Sequence, residues 1–164
     1  MMKKMFFAIF VLALSISCAS ASALVDGNVS LGQHNNMVWY MVGYEKAAAE
    51  TGAPGAIVRR YYGTNAGYRS ETVELLMSKF NVKPEIAGGL YFTEYRYVYS
   101  ADFKTFIVTY IRHHGMAGEL IHETEFTGLS EATKPPVANI DAKGPSGLAL
   151  DAVRKIEKIP APKK

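Results

Sequence analysis

The stretch from Leu90 to Phe126 constrains the fold more than any other part of the chain. Between Leu90 and Tyr99, Tyr91, Thr93, Tyr95, Tyr97 and Tyr99 alternate with Phe92, Glu94, Arg96 and Val98, the period of two that an extended strand imposes on its side chains. After a turn at Ser100-Ala101-Asp102, Phe103 to His113 and Glu119 to Phe126 read as a hairpin joined by His114-Gly115-Met116-Ala117-Gly118. Three consecutive antiparallel strands are therefore the expected centre of the fold.

Around that centre the signals are shorter. Leu24 to Asn36 is polar and reads as an arm with at most a short edge strand. Met37 to Val42 is an apolar run of the kind covered on both faces. Glu45 to Glu50 suggests a helical turn ended by Thr51 to Gly55, and Ala56 to Tyr62 a further strand. Ser70 to Asn81 fits two patterns: Val73, Leu75 and Met77 alternate, while Val73, Leu76, Met77 and Phe80 form a helical stripe. The reading leans to strand. Lys83 to Gly89 is expected to be a loop, and Thr127 to Pro145, with Pro135-Pro136 and Gly144-Pro145, a long connection without a strand. Ser146 is the expected N-cap of a helix from Gly147 to about Lys158, with Ala149, Ala152, Val153 and Ile156 on one face. The expected class is α+β: an antiparallel sheet of about five or six strands with a C-terminal amphipathic helix packed on one face.

The N-terminus carries a different message. Lys3-Lys4 precede an almost unbroken apolar run from Met5 to Ile16, the length of a secretory leader and too short to span a bilayer. Small residues at Ala21 and Ala23 suit a signal peptidase, so residues 1–23 read as a signal peptide cleaved after Ala23, with one α+β domain over 24–164. The competing reading lipidates Cys18, although Ser15 stands where leucine is preferred; only that reading puts the protein on a membrane. Removing 23 of 164 residues leaves 141, enough for one domain with a sizeable core. Removing Lys3 and Lys4 lowers the net charge from +3 to +1, which argues against nucleic acid as partner. Cys18 is the only cysteine, so the mature chain forms no internal disulfide. Ten tyrosines and eight phenylalanines fit a sheet-rich core.

Candidate chemistry is thin. His113 and His122 fall on one side of the hairpin as diagonal neighbours, if His113 faces Leu120. His114 and Glu123 would then point to the other side. Two imidazoles can help hold zinc, but a site needs three or four ligands, and His34 is the only other candidate on the arm. Gly144-Pro145-Ser146-Gly147 resembles a nucleophile loop superficially and reads more simply as a helix start. Glu119, Glu123 and Glu125 alternate as acids on a solvated strand face usually do. No glycine loop joins a strand to a helix with phosphate-binding spacing, and no cofactor signature occurs. The tyrosine row Tyr91, Tyr95, Tyr97 and Tyr99 admits two readings, core packing or an aromatic binding surface.

The order of segments resembles the surface-adhesin protein E-like family of small exported bacterial proteins. It runs through Val38-Trp39-Tyr40, Arg59-Arg60-Tyr61-Tyr62-Gly63, Thr72 to Leu76, Tyr95-Arg96-Tyr97, the Tyr110 to Phe126 hairpin, and Gly144-Pro145-Ser146 before a final helix. The resemblance implies an antiparallel sheet with helical elements at the cell surface, binding host or matrix proteins without catalysis. Family members often carry two cysteines that this chain lacks, Val153 and Ile156 occupying the stretch of the second. The expected function is an exported envelope interaction module, adhesin-like, contacting a protein ligand in the periplasm, at the cell surface or after secretion. The alternative is a small periplasmic enzyme or metal-binding protein using His113 and His122.

Overall fold

A computed structural model describes residues 28–160. Cleavage after Ala23 and lipidation of Cys18 both fall outside the described residues. Seven antiparallel strands form one curled sheet: β1 (Val29–His34), β2 (Met37–Glu45), β3 (Gly55–Tyr61), β4 (Leu90–Tyr99), β5 (Thr105–Gly115), β6 (Leu120–Glu125) and β7 (Val137–Asn139). The first six lie side by side in chain order. β7 pairs with the start of β5, on the side where β6 pairs with its end. The class is α+β as expected. β4 stands where the alternation placed it, and the closing hairpin is present, but β5 runs on through His114 and Gly115, residues expected in the turn.

Local chemistry explains the turns. Asn35 and Asn36 both adopt positive φ, 52° and 58°, between β1 and β2, the backbone that a two-residue hairpin needs and that asparagine tolerates. Gly118, at φ 84°, helps close the β5–β6 turn, where Gly115 N–H donates to the Glu119 carbonyl.

Five expectations about local structure require correction. Residues 70–81 are not a strand: α1 (Ala66–Phe80) begins at an Asn65 side chain that accepts the Tyr68 N–H, and it ends at Asn81 with positive φ. The helical stripe prevails because Leu76, Val73, Met77 and Phe80 all meet the core, whereas Leu75 is exposed. Glu45 to Glu50 is not helical, since β2 runs through Glu45 and the chain then turns with Gly52 N–H on the Ala48 carbonyl. Lys83 to Gly89 holds one short helix, α2 (Pro84–Ala87), and the long connection contains β7. In α3 (Pro145–Glu157), Gly144 is the N-cap and Pro145 takes the first helical position, where its missing N–H costs no bond. Ser146 lies inside the helix, its carbonyl accepting the Tyr99 hydroxyl at 2.7 Å.

The inner face of the sheet meets the helices. Met41, Val58, Tyr99, Leu76, Ala149 and Val153 are fully buried there in one cluster. α3 packs on β1, β2 and β3, but buries Ala149, Leu150 and Val153, leaving Ile156 42% exposed at the rim of the expected stripe. The outer face is ionic. Arg59 meets Glu94 at 2.8 Å, Arg112 Nε meets Glu123, and Arg96 is gripped by Glu45 and Glu50.

Candidate functional site

The paired strands bring the two histidines closer than expected. A register shift between His113 and His114 sets His113 directly opposite His122, not Leu120. The bulge arises beside the tight Gly115–Gly118 turn, where one extra residue on β6 shifts the ladder. Their rings lie 6.4 Å apart on the inner face. His122 stacks on Phe80 of α1 at 4.1 Å between ring centres, and its Nε2 is 3.3 Å from Thr124 Oγ1. His113 is buried, with Nδ1 3.0 Å from Thr93 Oγ1, and Thr93 is 2.7 Å from the Tyr62 hydroxyl. Arg60 Nη2 donates to that hydroxyl at 3.0 Å. The proton order in which each hydroxyl both accepts and donates runs from Arg60 through Tyr62 and Thr93 to His113 Nδ1, leaving the imidazole proton on Nε2.

Burial pushes the His113 pKa down to about 4, with His122 and Arg60 adding repulsion, and burial also lowers His122. Both rings are therefore neutral at pH 7, the form that can bind a metal. No group of three His, Cys, Asp or Glu side chains converges among the described residues, however. His34 lies on β1 at the far side of the sheet, its Nε2 against the Leu31 carbonyl. His114 points to the outer face and stacks on Phe92 at 4.7 Å.

The tyrosine row does not form a binding surface. Tyr97 and Tyr99 are buried in the core at 6% and 0% exposure, and Tyr95 packs against Trp39 at 5.9 Å. Burial raises the pKa of all three. Tyr91 leaves the row because a register shift between Leu90 and Phe92 turns it toward Tyr61, where it is 45% exposed. Of the remaining candidates, Ser146 Oγ accepts the Asp141 N–H and Glu123 is engaged by Arg112.

Arg60 is the residue that sequence patterning passed over. It lies between inward-facing Val58 and Tyr62, a position at which a charge is out of place, and this is the signal that could have found it. Its guanidinium carbon is within 4.9–5.8 Å of the ring centres of Tyr62, Tyr95, Trp39 and Tyr68, positions where the negative face of a π system attracts a cation. Among the described arginines, Arg59, Arg96, Arg112 and Arg154 have carboxylate partners, and Arg60 and Arg69 have none. Arg60 Nε and Trp39 Nε1 are buried without a hydrogen-bond partner.

The two sheet edges also differ. On β1, Ser30 Oγ accepts the Gly32 N–H and His34 meets the Leu31 carbonyl, so its own side chains occupy main-chain groups. Among the described residues, no hydrogen bond outside the β5 ladder reaches the main chain of residues 120–125. No helix among the described residues is long and apolar enough to cross a membrane. Comparison of the chain with protein-family models, curated proteins and solved structures finds no match.

Proposed function

We propose that the protein is an exported envelope module that acts by protein contact, with the β6 edge receiving an extended segment of its partner. The observation that carries this reading is the unengaged main chain of β6. Such an edge is a template for strand addition, in which backbone bonds supply affinity and alternate side chains supply specificity. Leu120, 53% exposed at the start of the edge, offers an apolar contact. The leader-like N-terminus and the resemblance in segment order to surface adhesins point to the same setting, the periplasm or cell surface.

A photoreactive side chain at Glu125, on the β6 edge, should give a defined adduct with an envelope or surface protein, and one at Gln33, on the self-occupied β1 edge, should not. Equal adducts from both positions would reject the edge reading. The intact mass of the exported protein tests the setting: a chain starting at Leu24 is expected, and a diacylglyceryl mass on Cys18 would assign it to a membrane instead. The neutral, stacked pair His113 and His122 supports the metal-binding alternative only if zinc binds stoichiometrically at submicromolar affinity and both His113→Ala and His122→Ala abolish it.

A further inference from the structure

A second, separate site lies where β3 ends and β4 begins. Tyr61, Tyr62, Gly63, Arg69, Leu90 and Tyr91 enclose a hollow of about 350 Å³, within the range of roughly 300–1,000 Å³ that small-ligand sites occupy. Its walls are aromatic: the Tyr61 and Tyr91 rings meet edge to face at 5.7 Å, and Tyr91 is 45% exposed. Its one charged lining residue is Arg69. That side chain is fixed by two main-chain acceptors, Nε to the Leu90 carbonyl at 2.9 Å and Nη2 to the Gly88 carbonyl at 2.5 Å. A guanidinium has five N–H groups; two are used, which leaves three, including both on Nη1.

The charge balance here is one-sided. Arg69 has no carboxylate within 4.0 Å. The first turn of α1, which holds Tyr68 beside Arg69, contains no acid. Every other described arginine except Arg60 is paired with a carboxylate, and no acid lines the hollow, so Arg69 gives it a local positive charge. An anchored guanidinium with a free edge suits a planar carboxylate, which it can bind through two parallel N–H bonds. The tyrosine walls suit a flat or apolar ring face. A peptide strand is poorly served, because β3 is already paired on both sides by β2 and β4.

We propose that this hollow binds a carboxylate borne directly on a small ring, the acid group on Arg69 and the ring against Tyr61 and Tyr91. Uronic-acid sugars and aromatic acids share that chemistry. The site is independent of the β6 edge, and its test leaves that reading untouched.

The experiment titrates the full mature protein with glucuronate and with benzoate, following the side-chain resonances of Arg69 and Tyr91, beside glucose, benzamide, acetate and inorganic phosphate. Saturable binding of glucuronate or benzoate is expected, and whichever binds more tightly identifies the source. Losing the charge or the ring should weaken binding by about tenfold or more, the effect of about 1.4 kcal/mol. Tyr91→Ala, at an exposed position, should weaken binding without moving Tm, and Arg69→Lys, which keeps the charge and loses the planar fork, should do so as well. Glucose binding as well as glucuronate, phosphate binding more tightly than either acid, unchanged affinity in Tyr91→Ala, or no saturation by either acid would each overturn the proposal.

Discussion

Arg59 and Arg60 are chain neighbours on β3, and strand alternation sends them to opposite faces of one sheet. Arg59 donates through Nε to Glu94 at 2.8 Å and covers the Phe92 ring at 4.8 Å, one member of an ionic lattice with Arg112, Glu123 and Tyr110. Arg60 has four aromatic rings, one tyrosine hydroxyl and no carboxylate. The outer face neutralises its charges pair by pair. The inner face holds one cation by polarisable rings and otherwise excludes charge, including the neutral histidines at the end of its hydroxyl chain. The outer face is therefore specified by charge pairing, and the inner face by desolvation.

If that contrast is right, the inner face should reject a carboxylate outright. Val153 is fully buried in the cluster under α3, so Val153→Asp should destabilise the domain by about 3 kcal/mol or more through an unpaired buried charge. Urea unfolding measures it. A loss below about 1 kcal/mol would mean that α3 does not seal this face.

The faces should also separate along the pH axis. His113 is depressed in the folded state, so the unfolded chain takes up its proton first. Its contribution is complete above the unfolded value of 6.5 and is lost as pH falls toward about 4. The loss amounts to about 3 kcal/mol at the lower end, at about 1.4 kcal/mol per pH unit for one proton, and the depressed His122 acts in the same direction. On the outer face, the Arg96 hydrogen bond lowers Glu50, whose contribution is present above 4.5 and lost only as pH falls further, through its lowered folded value. Stability measured from pH 7 downward should therefore fall first through the inner face. His113→Gln should flatten the slope between pH 6.5 and 5; an unchanged slope there would assign the acid sensitivity to other groups.

A third substitution probes the outer lattice. Glu94 is 7% exposed and accepts from Arg59 and from the Tyr110 hydroxyl, with Arg112 4.0 Å away. Glu94→Gln keeps the shape and removes the charge, and should cost about 2 kcal/mol, the range of a hydrogen bond to a charged group. A neutral outcome would show the lattice to be decoration on a sheet held by its other face.

How much of this was legible beforehand follows from what each signal encodes. The period of two from Leu90 to Tyr99 fixed β4 and the inward direction of Tyr95, Tyr97 and Tyr99, because alternation is a property of one strand alone. The relation between strands was less accessible. Bulges beside Phe92 and His114 moved Tyr91 out of its row and His122 opposite His113, and a bulge depends on local turn geometry that a pattern of apolar and polar residues does not record. Residues 70–81 carry both periods, and only the packing of Val73, Leu76, Met77 and Phe80 on the core decides between them. The hollow beside Arg69 joins residues from β3, α1 and β4. Its charge comes from an arginine anchored by the Gly88 and Leu90 carbonyls with no acid among the lining residues, a relation among distant residues that no local motif expresses.

The smallest expected effect is the sharpest test of the opening contrast. Replacing Arg60 by methionine keeps an unbranched side chain among the four rings and removes a charge that has no carboxylate to strand. It also relieves the burial of Nε, which has no hydrogen-bond partner, and gives up the Tyr62 bond and the cation–π attraction. These terms oppose one another, since exchange of a buried charge for an apolar group of similar volume is often neutral or stabilising by about 1–4 kcal/mol, and cation–π attraction for a desolvated guanidinium contributes about 2 kcal/mol. Arg60→Met should therefore change stability by no more than about 1 kcal/mol, well under the loss in Glu94→Gln, although Arg60 is the less exposed to carboxylates of the two β3 arginines. Equal losses measured by urea unfolding in the two variants would mean that the aromatic box binds its cation as strongly as the outer face binds its own. Arg60 would then be a structural cornerstone of the inner face.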